Sequence, residues 1–354
     1  MNVQKLSRWC AAIAICLAAV EPTQAKAAVA PPQFANGFGL TVMAQPTWVD
    51  EARRTFTFSV ASTEVPRPTL LPGQVAGQHV IVVTLPEDYA SSIARYPVLY
   101  ALHGNPDMPN TEWNIRRAEI ATQGKPVITV QPNGVRSWYS NWVNPGAVGK
   151  QNWENFHLNQ VIPLVDANLR TIAGRDGRAL LGHSMGGFGA LHYAEHRPDL
   201  FGYVGSMSGG LDLLNPAIRA AVVGTSLMTE SGVPTVGADA IFGPPVWPFD
   251  GIWNAESPAQ HVRPLRGMGV ALYTGNGGNL LDNPVQAVVE QQARETNLVT
   301  VANLTAAGVP FDFYDYGDGS GWAPGCTGKH AQAPCLQKAM SHFVGLILGR
   351  LQHP

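Results

Sequence analysis

The stretch Arg178-Ala179-Leu180-Leu181-Gly182-His183-Ser184-Met185-Gly186-Gly187 decides the fold. A short apolar run leads into a serine with a glycine two residues to either side, and a helix-like segment continues to His196. Strand, sharp turn and helix in that order are the setting of a nucleophile elbow, which presents a serine on a strained turn. Where strand and helix nearly touch, a side chain on either flank would collide, so Gly182 and Gly186 fill the two tight places and Gly187 reads as a spare. With 37 glycines in the chain the bare pattern carries little weight, and its context carries the reading.

Outward from the elbow, the chain alternates. Tyr96 to Leu102 and Pro126 to Gln131 read as buried strands, Trp153 to Thr171 as a helix, and Gly202 to Ser206 as the strand after the elbow helix. Gly269 to Thr274 and Pro310 to Tyr316 supply two more strands around a long helix from Asn283 to about Ala307. Upstream, Phe38 to Val42 and Thr55 to Val60 read as edge strands and His79 to Leu85 as a β-branched strand. This order predicts an α/β fold with a mostly parallel central sheet and helices on both faces. Between Leu211 and Arg263 the periodicity breaks up, and Pro, Gly and Trp crowd into Phe242 to Phe249. Connections of that length are uncommon unless they cover a site, so residues 211–263 are expected to be a cap-like insert in a single domain spanning 31–354.

The 354 residues carry a formal net charge of −2, and the runs of like charge are as short as Arg53-Arg54 and Arg116-Arg117, which excludes a phosphate-tracking surface; no nucleic-acid partner is expected. The N-terminus has Lys5 and Arg8, an apolar run from Trp9 to Val20, then an alanine-rich stretch to Ala30. Residues 1–30 therefore read as a secretory signal cleaved near Ala25 to Ala30. The apolar run is shorter than the ~20 residues that span a bilayer, so no transmembrane anchor is expected after cleavage. The expected location is secreted or cell envelope. Cys10 and Cys16 leave with the signal, and Cys326 and Cys335, nine apart in an exported chain, are expected to form a disulfide.

A serine hydroxyl needs a base within hydrogen-bond reach and an acid to orient that base. In elbow folds the chain order is Ser, acid, His. Of the histidines beyond the elbow helix, His353 lies at the chain end, His342 within the last helix and His261 before the strand that should carry the acid. His330, in the loop after the last strand, remains as the base. For the acid, Asp282 follows the strand Gly269 to Thr274 and Glu290 lies further on; position alone slightly favours Asp282. The oxyanion-stabilising backbone N–H groups are expected from Met185, after the nucleophile, and from Asn105, after the strand ending Leu102-His103-Gly104. His192 and His196 have metal-binding spacing but no third ligand close in sequence, and read as a packed or solvated pair. Gly275-Asn276-Gly277-Gly278 lacks the spacing of a dinucleotide fingerprint, so no cofactor and no metal are expected. Trp138, Trp142 and Trp153 read as core or site wall.

Taken together, the segments from about Tyr96 to the last helix resemble the antigen 85 mycolyltransferases and the wider esterase D-like group of α/β-hydrolases. The likeness runs through Ser137-Trp138-Tyr139-Ser140-Asn141-Trp142, Trp153-Glu154-Asn155-Phe156, the elbow, Gly205-Ser206-Met207-Ser208 and Leu211-Asp212. It continues through Ile241-Phe242-Gly243-Pro244, Asn254-Ala255-Glu256-Ser257-Pro258 and Gly275-Asn276-Gly277. The resemblance implies a glutamate acid on the helix leading into an Arg-x-x-Asn segment, which falls on Glu290 with Arg294 and Asn297. This moves the acid to Glu290 and holds Asp282 in reserve. It also matches His330 to the family's histidine, although the Cys326 to Cys335 loop is a departure. A second departure is His103-Gly104-Asn105-Pro106, the form common among plain esterases, where the mycolyltransferases carry an Asp-Gly-Leu-Arg segment that helps bind trehalose. The expectation is a secreted serine esterase acting through acyl-Ser184, on an ester or acyl donor that includes the lipid and glycolipid classes. The alternatives are a mycolyl-type acyltransferase using a sugar or glycerol acceptor and a non-catalytic exported binding protein on the same fold.

Overall fold

The computed structural model describes residues 30–49, 54–66, 75–228 and 235–354, so the expected signal segment lies outside the described residues. Its strands are β1 (Leu40–Trp48), β2 (Thr55–Ser62), β3 (His79–Thr84), β4 (Val98–Leu102), β5 (Ile128–Pro132), β6 (Arg178–His183), β7 (Tyr203–Met207), β8 (Gly269–Thr274) and β9 (Asp312–Asp315). They form one nine-stranded sheet in the order β1-β2-β3-β5-β4-β6-β7-β8-β9. From β5 to β9 every neighbouring pair is parallel, whereas β1, β2 and β3 add on antiparallel. Only β1 of the two expected edge strands is an edge; β2 is clamped between β1 and β3. β1 also runs six residues beyond Val42, with register shifts at Val42/Ala44 and Ala44/Thr47.

The alternation of each strand divides the core into two layers. Ala179 and Leu181 of β6, and Ala271 and Tyr273 of β8, face one side. There they meet helices α1 (Glu112–Ala121) and α8 (Ala333–Leu348) through Ala118, Ala121, Leu336, Ala339 and Phe343. Leu180, Val270 and Leu272 face the other side. That side is covered by α4 (Met185–His196), α7 (Pro284–Ala307) and the helix from Trp153 to Asn168. This last helix is α-helical at its ends, as α2 (Trp153–Asn155) and α3 (Ile162–Asn168), and π-helical over Phe156–Val161. Trp138, Trp142 and Trp153 are all buried in this second layer.

Within 211–263, where the periodicity was unreadable, the chain forms α5 (Pro216–Leu227) and the short α6 (Gly251–Ala255). The local signal for α5 is present in Asn215-Pro216. The Asn215 side chain accepts from the Ala217 and Ile218 N–H groups, Pro216 sits at the first helical position, and Ile218 and Val222 are buried one turn apart. This segment packs on the 137–144 loop: Val143 and Asn144 donate N–H to Ile241 O and Ala240 O, and Trp138 Nε1–H donates to Thr225 Oγ1.

Candidate active site

Ser184 follows β6 directly and caps α4 with φ 55° and ψ −119°, a backbone conformation that costs a side-chain-bearing residue about 1–3 kcal/mol. The surroundings enforce it. Ser184 N–H donates to Met207 O on the neighbouring strand at 2.9 Å, and Ser184 O accepts from Gly187 and Phe188. A Cβ on Gly182 would lie 1.8 Å from Gly186 O, and one on Gly186 would lie 2.3 Å from Leu102 O. Gly187 is no spare, because a Cβ there would lie 2.5 Å from Ser206 Oγ and 2.8 Å from Gly209 Cα.

His330 reaches the serine from the loop between β9 and α8. Its Nε2 lies 2.9 Å from Ser184 Oγ and its Nδ1 lies 2.8 Å from Glu290 Oε2. The carboxylate accepts, so Nδ1 carries the ring proton and Nε2 is free to accept the serine proton. The loop is closed by the Cys326–Cys335 disulfide, tied internally by Thr327 N–H and Oγ1–H to Gln332 Oε1, and anchored by His330 N–H to Gln286 O.

Glu290 projects from α7 into a fully buried position. Its Oε1 accepts from Ser208 Oγ at 2.7 Å, Thr274 Oγ1 at 3.1 Å and Gly275 N at 2.6 Å, leaving Oε2 to His330. Arg294 and Asn297, one and two turns on, hold this helix in register. Arg294 pairs with Asp315 at the end of β9, and Asn297 Nδ2 donates to Gly209 O. Asp282 is elsewhere: its carboxylate is exposed and lies 3.1 Å from Lys329 Nζ, so it orients the residue before the histidine and not the imidazole.

Met185 is the first residue of α4, and N–H groups in a helix's first turn have no acceptor within the helix. The turn after β4 approaches so closely that a Cβ on Gly104 would meet Ser184 Cβ at 3.2 Å and His183 Nδ1 at 2.9 Å. Orientation of the Gly104–Asn105 peptide comes from His103, for which the sequence showed no role of its own. Gly134 N–H donates to His103 Nε2 at 2.8 Å, which places the ring proton on Nδ1, and Nδ1–H donates to Gly104 O at 2.8 Å. In a trans peptide the carbonyl and the next N–H point in opposite directions, so Asn105 N–H faces away from that ring. Tyr139 OH fixes the preceding peptide by donating to His103 O.

His183 lies beneath the base, its ring 5.1 Å from that of His330. Burial first, and then the neighbouring His330 and Arg117, hold its pKa well below the ordinary histidine value, so it stays neutral beside the catalytic imidazole candidate. Beside His330 opens a cleft of about 410 Å³ lined by polar side chains, among them Asn283, Gln286, Thr327 and Gln332.

A model of the family described as "Putative esterase" matches residues 75–332. The protein "Esterase Rv1288" of Mycobacterium tuberculosis is 34% identical over 247 residues, covering 68% of this chain and 52% of its own length. The chain thus spans about half the length of the first curated relatives it matches. "Diacylglycerol acyltransferase/mycolyltransferase Ag85A" of M. tuberculosis is 29% identical over 267 residues, 71% of this chain and 76% of that protein. The crystal structure of M. tuberculosis MPT51 superposes with a TM-score of 0.58 at 22% identity, over 81% of this chain and 99% of that one, which shows the common fold.

Proposed function

The chain belongs to the esterase family, and from that premise we propose that it is an exported serine carboxylic-ester hydrolase working through an acyl-Ser184 intermediate. The observation that carries the proposal is the continuous hydrogen-bonded series Ser184 Oγ, His330 Nε2, His330 Nδ1, Glu290 Oε2, with contacts of 2.9 and 2.8 Å. Ser184 Oγ attacks the ester carbonyl carbon as its proton passes to His330 Nε2. Glu290 stabilises the resulting imidazolium and keeps its Nδ1–H in place. Negative charge that develops on the carbonyl oxygen is met by the Met185 and Asn105 N–H groups. The tetrahedral species collapses, the alkoxide leaves with the proton from His330, and water, deprotonated by the same nitrogen, releases the acid and restores Ser184.

The N-terminal signal pattern and the disulfide support export, and no helix among the described residues is long and apolar enough to cross a membrane. In this reading the described part of residues 211–263, packed on the 137–144 loop, is the cap-like insert. Transfer to an alcohol is the second reading. It is favoured by the likeness to the mycolyltransferase and by the polar cleft at His330, which offers an acceptor hydroxyl hydrogen-bonding partners near the base.

The test is mass spectrometry of products from p-nitrophenyl esters and from trehalose 6-monomycolate, with and without trehalose, for the mature protein and its Ser184→Ala variant. Free acid alone, lost in the variant, supports hydrolysis. Acylated trehalose, lost in the variant, replaces it by transfer. Turnover that survives Ser184→Ala refutes both.

A further inference from the structure

The pair His192 and His196, four residues apart on α4, has no third ligand near it in sequence, but the fold brings two carboxylates to it. Glu154 comes from α2 and Glu256 from the C-terminal end of α6. His196 Nδ1 lies 3.0 Å from Glu154 Oε1, and His192 Nε2 lies 3.7 Å from Glu154 Oε2. Glu256 Oε2 lies 3.6 Å from His192 Nδ1 and 3.6 Å from His196 Nε2.

We propose that His192 Nε2, His196 Nδ1 and Glu154 form a site for one divalent transition-metal ion of the zinc class, which ties the elbow helix to α2, while Glu256 faces the opposite ring nitrogens as their outer partner. One ligand atom from each of His192, His196 and Glu154 lies within 4.8 Å of the others. Bonds of about 2.0–2.2 Å to a tetrahedral ion need ligand atoms a little over 3 Å apart, so small side-chain rotations close the site. His192 is 1% exposed, lies against Phe188 with ring centroids 5.2 Å apart, and has a buried Nε2 that forms no hydrogen bond. A buried polar atom of that kind is costly to leave unpaired, and a cation in the cluster provides its partner. The Glu154 carboxylate offsets half of the divalent charge, and the fourth tetrahedral position is left to water. Two imidazoles select zinc-class ions over calcium or magnesium, which prefer oxygen ligands throughout. His192 lies eight residues from Ser184 along the helix, about 12 Å by helical rise, so the ion takes no part in the ester chemistry and the inference does not depend on the proposed function.

The experiment uses the full mature chain, stripped with EDTA and titrated with ZnCl2 by calorimetry, with thermal melts in parallel. The expected result is one Zn²⁺ per chain, a Tm that rises with Zn²⁺, and no response to CaCl2. His192 is buried in the core, so the variants are His196→Ala, at an exposed position, and Glu154→Gln, at a partly buried one, with circular dichroism confirming their fold. Each loses a direct ligand, which weakens binding by at least the roughly 10–100-fold seen for outer-shell losses. His353→Ala, at the chain end, serves as a control for stray histidine binding and leaves the titration unchanged. Absence of stoichiometric binding in the parent protein overturns the proposal, as does unweakened binding in both folded variants or loss of binding in His353→Ala.

Discussion

Glu290→Gln exchanges a carboxylate oxygen for an NH2 group at almost constant volume, and the surroundings dictate which way the amide turns. Three donors face Oε1. The Ser208 and Thr274 hydroxyls can rotate to accept, but the Gly275 N–H, 2.6 Å away, can only donate. The amide oxygen must therefore take the Gly275 side, and the NH2 must face His330 Nδ1. That nitrogen then becomes an acceptor, the ring proton moves to Nε2, and the nitrogen 2.9 Å from Ser184 Oγ can no longer take the serine proton. In serine proteases the wrong imidazole tautomer lowers kcat about 10⁴-fold. The same loss here corresponds to about 5 kcal/mol of transition-state stabilisation. Every buried hydrogen bond of Glu290 has a counterpart in the variant, so the thermal melt should stay near that of the parent. The assay is steady-state hydrolysis of p-nitrophenyl acetate between pH 6 and 9, with active-site titration and melts on the same preparations. A folded variant with kcat within tenfold of the parent refutes the tautomer argument. Asp282→Asn gives the contrast: its carboxylate pairs with Lys329, and kcat should fall less than tenfold.

Three further outcomes follow from the same geometry. His103→Phe removes the bonds that orient the Gly104–Asn105 peptide; loss of one oxyanion donor lowers kcat about 10²–10³-fold, and a KM that stays near the parent value separates this positioning role from substrate binding. Cys326→Ser with Cys335→Ser opens the ten-residue loop that carries His330, for which the chain-entropy estimate is about 3 kcal/mol in urea unfolding, and kcat should fall with it. Burial holds His79 at a pKa of about 4 and His157 at about 3, so below the unfolded value near 6.5 the unfolded chain binds protons that the native chain does not. Stability is therefore full at neutral pH and falls as the pH drops through 6.5 toward those folded values, by about 1 kcal/mol per histidine between pH 7.5 and 5.5. Equal unfolding free energies at the two pH values would count against neutral burial of these rings.

Features that depend on neighbours along the chain were readable before any fold. The elbow is one: Gly182, Ser184 and Gly186 span five residues, and their small size follows from a local collision between strand and helix. Strand alternation, the parallel order after β5 and the pairing of Cys326 with Cys335 belong with it. The antiparallel β1–β2–β3 margin and α5 were missed or misread, the first because register is a pairing property and the second because its N-cap signal lay in a Pro- and Gly-rich setting.

The nucleophile candidate, the candidate base and the fold class were legible along the chain, since each rests on periodicity, order or contact over a few residues. Position along the chain left the acid open between Asp282 and Glu290, the family resemblance moved it to Glu290, and the packing of α7 gives the physical reason. Glu290 and Asp282 are eight positions apart in the chain, and what separates them is that α7 turns Glu290 under Gly275 and Ser208 while Asp282 stays at the surface beside Lys329. Likewise the carboxylates beside His192, and the Gly134 N–H that fixes the His103 tautomer, come from segments tens of residues away. Side-chain chemistry names what a residue can do, and packing of distant segments sets which partner is within reach.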